Sequence, residues 1–152
     1  MFKNSNKKKK EFIGHIFKNF KREKNILSAT IVGSFADSNN ITKINDTDLI
    51  VIVKKLNERS FEKIKKLLIK LKLEKFYNNK KIIINDTFGP LKFNTDKFSV
   101  IHLMVYDLKG HIEHAIKSPF TVYDWERSKI FLNQNLSSIY SVGNIQLLDF
   151  LN

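Results

Sequence analysis

The sequence predicts an α+β (α/β) domain with a small mixed sheet of about four or five strands and flanking helices. Three observations carry this. Apolar residues recur at helical spacing in two separate stretches, continuous β-branched runs punctuate the chain, and the two patterns alternate in the order α–β–β–α–β–β–α. The chain has 152 residues, 42% of them hydrophobic. That suffices for one core, and one domain over residues 11–152 is expected, with a helical extension at its C-terminus. Only 5 Gly and 2 Pro argue against low-complexity or collagen-like chains. The absence of Cys removes disulfide scaffolds, thiol nucleophiles and Cys-ligated metal clusters.

Residues 1–10, MFKNSNKKKK, show no periodicity and are expected to be a disordered basic tail. From Glu11, the residues Phe12, Ile13, Ile16, Phe17 and Phe20 mark the first amphipathic helix. SATIVG, residues 28–33, reads as a strand ending at Gly33, and a polar connection follows to residue 47. LIVIV, 49–53, is the kind of run that suits a strand buried on both faces. Asn57 or Ser60 is placed to cap a second helix whose inward stripe is Phe61, Ile64, Leu67, Leu68 and Leu71. Residues 82–84 give a third strand, and FSVIHLMVY, 98–106, a fourth. Ser118-Pro119 opens a helix running through Tyr123 and Trp125 towards Ile130. The apolar tail, with Ile145, Leu147, Leu148, Phe150 and Leu151, is expected to pack back as a short helix.

No apolar stretch approaches the roughly 20 residues of a membrane-spanning helix, and no secretory h-region follows Lys7–Lys10. The expectation is a cytoplasmic, unprocessed protein without a membrane partner. The formal net charge is +12, and the excess persists beyond the five Lys of residues 1–10. Such a field attracts phosphates, whether of a nucleotide or of RNA.

The stretch TIVGSFADSNNITKINDTDLIVIV, residues 30–53, holds the most chemistry. A strand ends in Gly33-Ser34; after eleven intervening residues Asp46-Thr47-Asp48 leads into the next strand. Residues two apart in a strand share a face, so Asp46 and Asp48 project side by side. Two such carboxylates repel unless a divalent cation lies between them, and hard oxygen ligands suit Mg²⁺. Gly33 lets the backbone approach a phosphate, and the Ser34 hydroxyl with neighbouring N–H groups can hold phosphate oxygens without adding charge.

This arrangement resembles the nucleotidyltransferase superfamily that includes DNA polymerase beta, small bacterial nucleotidyltransferases and antibiotic nucleotidyltransferases. Val32, Gly33, Ser34, Asp46, Asp48 and Leu49 match its pattern, over about residues 11–107; Thr47 stands where the family usually has a hydrophobic residue. The resemblance implies a transferase that moves a nucleoside monophosphate from a nucleoside triphosphate to an acceptor hydroxyl. Gly33 and Ser34 would bind the nucleotide, and Asp46 and Asp48 would be catalytic ligands of Mg²⁺ or Mn²⁺. The acceptor is not written in the sequence.

Family members also carry a third carboxylate on a later strand. Here His102 holds that position, as a proton acceptor or metal ligand in one reading and as a sheet-facing His bonded to a neighbour in the other. Asp107 has the opposite strand parity, and Asp86 lies just beyond the third strand. The missing carboxylate opens an alternative: a catalytically degenerate fold that binds nucleotide, RNA or a protein partner, as antitoxin-like members do, or that self-associates. Lys92 is a candidate phosphate contact. His111, Glu113 and His114 lack the spacing of a helical zinc site, and a solvated helix face explains them more simply. Tyr123, Trp125 and Arg127 offer base stacking or phosphate pairing, against the plainer role of a Trp that anchors its helix on the sheet.

Overall fold

A computed structural model describes residues 2–38, 46–77, 80–87 and 97–146. It is an α+β fold built on a five-stranded mixed sheet of order β3-β4-β2-β1-β5. The strands are β1 (Ile26–Val32), β2 (Asp46–Val53), β3 (Lys81–Asn85), β4 (Phe98–Tyr106) and β5 (Phe131–Asn133). β1 runs antiparallel to β2 and β5, while β4 runs parallel to β2 and β3. The expected four strands are all present, and β2 is the middle one. Its Leu49, Ile50, Val51, Ile52 and Val53 are wholly buried, as an unbroken β-branched run covered on both faces requires.

Each face of the sheet takes alternate residues of every strand. Ile31, Leu49, Val51, Ile101 and Leu103 face α1 (Phe2–Phe20), α3 (Glu58–Lys70) and the 3-10 segment Leu73–Tyr77. Ile50, Ile52 and Met104 point the other way, to α4 (Leu108–Lys117), α5 (Pro119–Glu126) and α6 (Leu136–Ile139). In α1 the predicted stripe lies inward, with Phe12, Ile16 and Phe20 wholly buried. Asn57 and Ser60 share the cap of α3: the Asn57 side chain accepts from the Ser60 N–H at 2.8 Å, and the Ser60 hydroxyl accepts from the Asn57 N–H at 3.0 Å. Such reciprocal caps contribute about 1 kcal/mol.

Four expectations are corrected. Residues 2–10 continue α1 and are not a disordered tail. The cause is legible at Lys9, whose ammonium is buried and donates to the carbonyls of Ala36 at 2.9 Å and Ser38 at 2.6 Å. Burial holds its pKa below the ordinary lysine value, against the opposing pull of Asp37. Second, the helix after Pro119 ends at Glu126, and Ile130 leads into β5. Third, the expected order of elements lacks a separate helix between the fourth strand and Pro119, where α4 stands; Asp107 is its N-cap, accepting from the Gly110 N–H at 2.8 Å. The tail from Leu147 onward lies outside the described residues.

The fourth correction concerns α4 itself. His111 is wholly buried and His114 stacks on Tyr106 at 5.2 Å, so only Glu113 of that trio faces water. Among the described residues neither His111 ring nitrogen meets a well-formed hydrogen-bond partner. Burial lowers the His111 pKa, opposed by the Tyr140 backbone and reinforced by His114; burial lowers that of His114 too. Both rings therefore take up a proton less readily in the folded protein than in the unfolded chain. As pH falls through about 6.5 the unfolded chain protonates them first, so it binds more protons and folding stability declines. Thermal melts from about pH 7.5 down to about pH 5 are expected to show a falling Tm, with a shallower fall in His111→Phe. A variant that falls as steeply as the wild type would contradict this.

No helix among the described residues is long and apolar enough to cross a membrane.

Candidate functional site

β1 ends at Val32, and the next residue turns the chain sharply. Gly33 adopts φ 78° and ψ −159°, a region open in practice to glycine alone. Ser34 then begins the four-residue helix α2 (Ser34–Asp37), with its side chain exposed. Phe35 is the buried anchor of that turn, packed against Phe12 at 5.2 Å.

Val32 is the register partner of Asp48 on β2. The turn at Gly33 therefore passes directly over the Asp48 carboxylate: a Cβ at position 33 would stand 2.5 Å from Asp48 Oδ2. Both residues line a cleft of about 480 Å³, whose far wall includes Thr121, Asp124 and Arg127 of the α5 region. Asp46 shares the face of Asp48 but lies further along β2, away from this lining and beside His102, with its Oδ2 3.8 Å from His102 Nε2. Thr47 between them points to the opposite face and hydrogen-bonds the Tyr77 hydroxyl at 2.8 Å. A polar residue is thus accommodated where an apolar one was expected. Burial pushes the Tyr77 phenol up to about 12, despite hydrogen bonds with Thr47 and Ser99 that pull it down. It stays protonated and ties the Asp46–Asp48 segment to the core.

His102 is the β4 partner of Asp48, and Asn85 is the β3 partner of His102. Asn85, His102 and Asp48 thus form a row across three adjacent strands. Asn85 is almost fully buried and its Nδ2 lies 3.0 Å from His102 Nδ1. The sequence reading missed it, because Asn at the end of a β-branched run reads as a turn residue. A signal existed all the same: one polar side chain at the end of III, in phase with His102 of the next strand.

The other candidates separate. Asp86 pairs with Lys65 at 2.8 Å, and Asp107 is occupied in capping α4. Neither joins Asp46 and Asp48. Lys92 falls outside the described residues. Trp125 packs between Tyr106 and His114 and anchors α5, and its remaining exposed surface lines the cleft beside Gly33 and Asp48. Tyr123 is exposed, with the Arg127 guanidinium 5.9 Å from its ring. On the opposite side of the sheet Lys8, His15, Lys18 and Lys75 line a second groove of about 490 Å³.

Among the described residues no three His, Asp or Glu converge into a metal cage. The donors at hand are the two half-exposed carboxylates of β2, hard oxygen ligands that fit a cation able to complete its shell with water and phosphate oxygens. That donor set suits Mg²⁺ or Mn²⁺ and would serve a thiophilic metal poorly.

No protein-family model, curated protein or solved structure matches the chain. The fold and site define an α+β protein with a glycine turn set against a strand-borne carboxylate pair.

Proposed function

We propose that the protein is a metal-dependent nucleotidyltransferase. An acceptor hydroxyl attacks the α-phosphorus of a nucleoside triphosphate, the bond to the pyrophosphate leaving group breaks, and the hydroxyl proton passes to water or a site base. The observation that carries this reading is the contact between Gly33 and Asp48. A backbone turn that only glycine can make opens onto a carboxylate, within a cleft large enough for a nucleotide. Gly33 and Ser34 would present backbone N–H groups and a hydroxyl to phosphate oxygens. Asp46 and Asp48 would hold Mg²⁺ or Mn²⁺, which when bound neutralises triphosphate charge and polarises the reacting phosphoryl group. Arg127, on the far wall, is placed to pair with a phosphate or stack on a base.

The test is calorimetric titration of ATP, CTP, GTP and UTP, with and without Mg²⁺, into the wild type and Asp46→Asn. One nucleotide should bind only with the metal. The variant should lose more than the roughly 10–100-fold that removal of an outer-shell partner costs. Equal affinity in wild type and variant would sink the metal assignment.

A second reading is binding without transfer, to nucleotide, RNA or a protein partner. It is favoured by His102 standing beside Asp46, with Asp86 and Asp107 both engaged elsewhere. It predicts nucleotide or RNA binding with no pyrophosphate release, and RNA affinity falling steeply with salt.

A further inference from the structure

We propose that Asn85 and Thr87 are positioning residues that lock His102 with its proton on Nε2. His102 then acts as a donor to the Asp46 carboxylate, and not as a metal ligand or proton acceptor.

The Thr87 N–H can only donate, and it donates to Asn85 Oδ1 at 3.1 Å. The Thr87 hydroxyl donates to the same oxygen at 2.6 Å. Two donors on one atom identify that atom as the amide oxygen, so the amide cannot be turned over. Its nitrogen must be the atom that faces His102 Nδ1 at 3.0 Å. An amide nitrogen offers only hydrogens, so Nδ1 presents its lone pair. A neutral imidazole carries one proton, which therefore sits on Nε2. That nitrogen faces Asp46 Oδ2 at 3.8 Å, slightly beyond hydrogen-bond length and within reach of a small side-chain rotation.

The relay is built into the sheet. β3 and β4 place Asn85 beside His102 in register, and β4 and β2 place His102 beside Asp48, with Asp46 next on the same face. Asn85 is 5% exposed, so water competes poorly for its amide. Two functional consequences follow. Nε2, bearing the proton, offers no lone pair to a metal, and one oxygen of Asp46 is drawn towards the imidazole while the other faces away from it. A cation held there, which rests on the function proposed above, would meet carboxylate oxygens alone. The site would take Mg²⁺ or Mn²⁺ and discriminate against Zn²⁺ and Ni²⁺, which prefer imidazole.

The first experiment needs neither metal nor nucleotide. Long-range ¹H–¹⁵N correlation spectra of the full chain labelled at histidine, taken where imidazole is neutral, report which ring nitrogen bears the proton; His102→Gln assigns the signal. Nε2–H is expected in the wild type, a mixed signal in Asn85→Ala, and Nδ1–H in Asn85→Asp, whose carboxylate would accept from Nδ1. A wild type showing Nδ1–H or an even mixture overturns the proposal, even if neither variant folds. The second experiment is Mn²⁺ titration followed by water-proton relaxation. Asn85→Ala should bind Mn²⁺ about 10–100-fold more weakly than the wild type, the cost of losing an outer-shell partner. Unchanged affinity in Asn85→Ala would overturn the positioning role. An Nε2–H wild type that binds no Mn²⁺ would instead uphold the lock and refute the metal site.

Discussion

Gly33→Ala is expected to cost the protein stability and to disable the proposed nucleotide site. The backbone angles at this position alone cost a non-glycine residue about 1–3 kcal/mol. The added methyl would also stand 2.5 Å from Asp48 Oδ2, a distance that real Cβ atoms do not tolerate. The atom it meets is the tip of a partly exposed side chain, so either the Asp48 carboxylate swings away or the turn moves. Either displacement separates the carboxylate from the Gly33-Ser34 turn. Chemical denaturation should show a loss within that range, with the proposed metal-dependent nucleotide binding weakened even where the variant remains folded. A folded Gly33→Ala protein that bound nucleotide as tightly as the wild type would mean that the turn is not a phosphate site.

Phe12→Ala should give the largest loss of stability, about 3–5 kcal/mol. Phe12 is wholly buried, and its ring meets Phe35 at 5.2 Å, Tyr77 at 5.3 Å and Phe76 at 5.9 Å. It joins three elements at one point: α1, the turn after Gly33 and the 3-10 segment. The effect should spread to the site, since Phe35 anchors α2 and the Tyr77 hydroxyl holds Thr47 between the two aspartates. The midpoint of urea unfolding measures the first part, and hydrogen exchange across α2 and β2 the second. A loss below about 1 kcal/mol would show that the aromatic cluster repacks around the cavity.

The sequence announced the elements that depend on short-range pattern. β4 is expected at its observed limits, residues 98–106, and Asn57 or Ser60 is expected to cap α3 because a cap is local in sequence, though only the structure joins the two into one reciprocal box. The facing of Asp46 and Asp48 followed from strand parity alone. What stayed hidden depends on partners distant in sequence. Lys9 looks like any lysine in a run of four until Ala36 and Ser38 present two carbonyls to it. His111 looks solvated until α4 is laid on the sheet. β5 is three residues long and has no period to detect; it exists because β1 has an open edge. Asn85 acquired meaning only when β3 was set in register beside β4.

That register bears on the order in which the molecule assembles. β1 and β2 pair antiparallel across a short connection, whereas β4 must travel back past α3 and β3 to lie parallel beside β2. Loop closure over such a span is slow, so contacts of that kind tend to form late on the folding path. Gly33 and Asp48 meet within the early pair; Asp46 and His102 meet only across the late one. A kinetic refolding experiment should therefore find the glycine turn protected before the histidine relay exists, with competence for ligand arriving last.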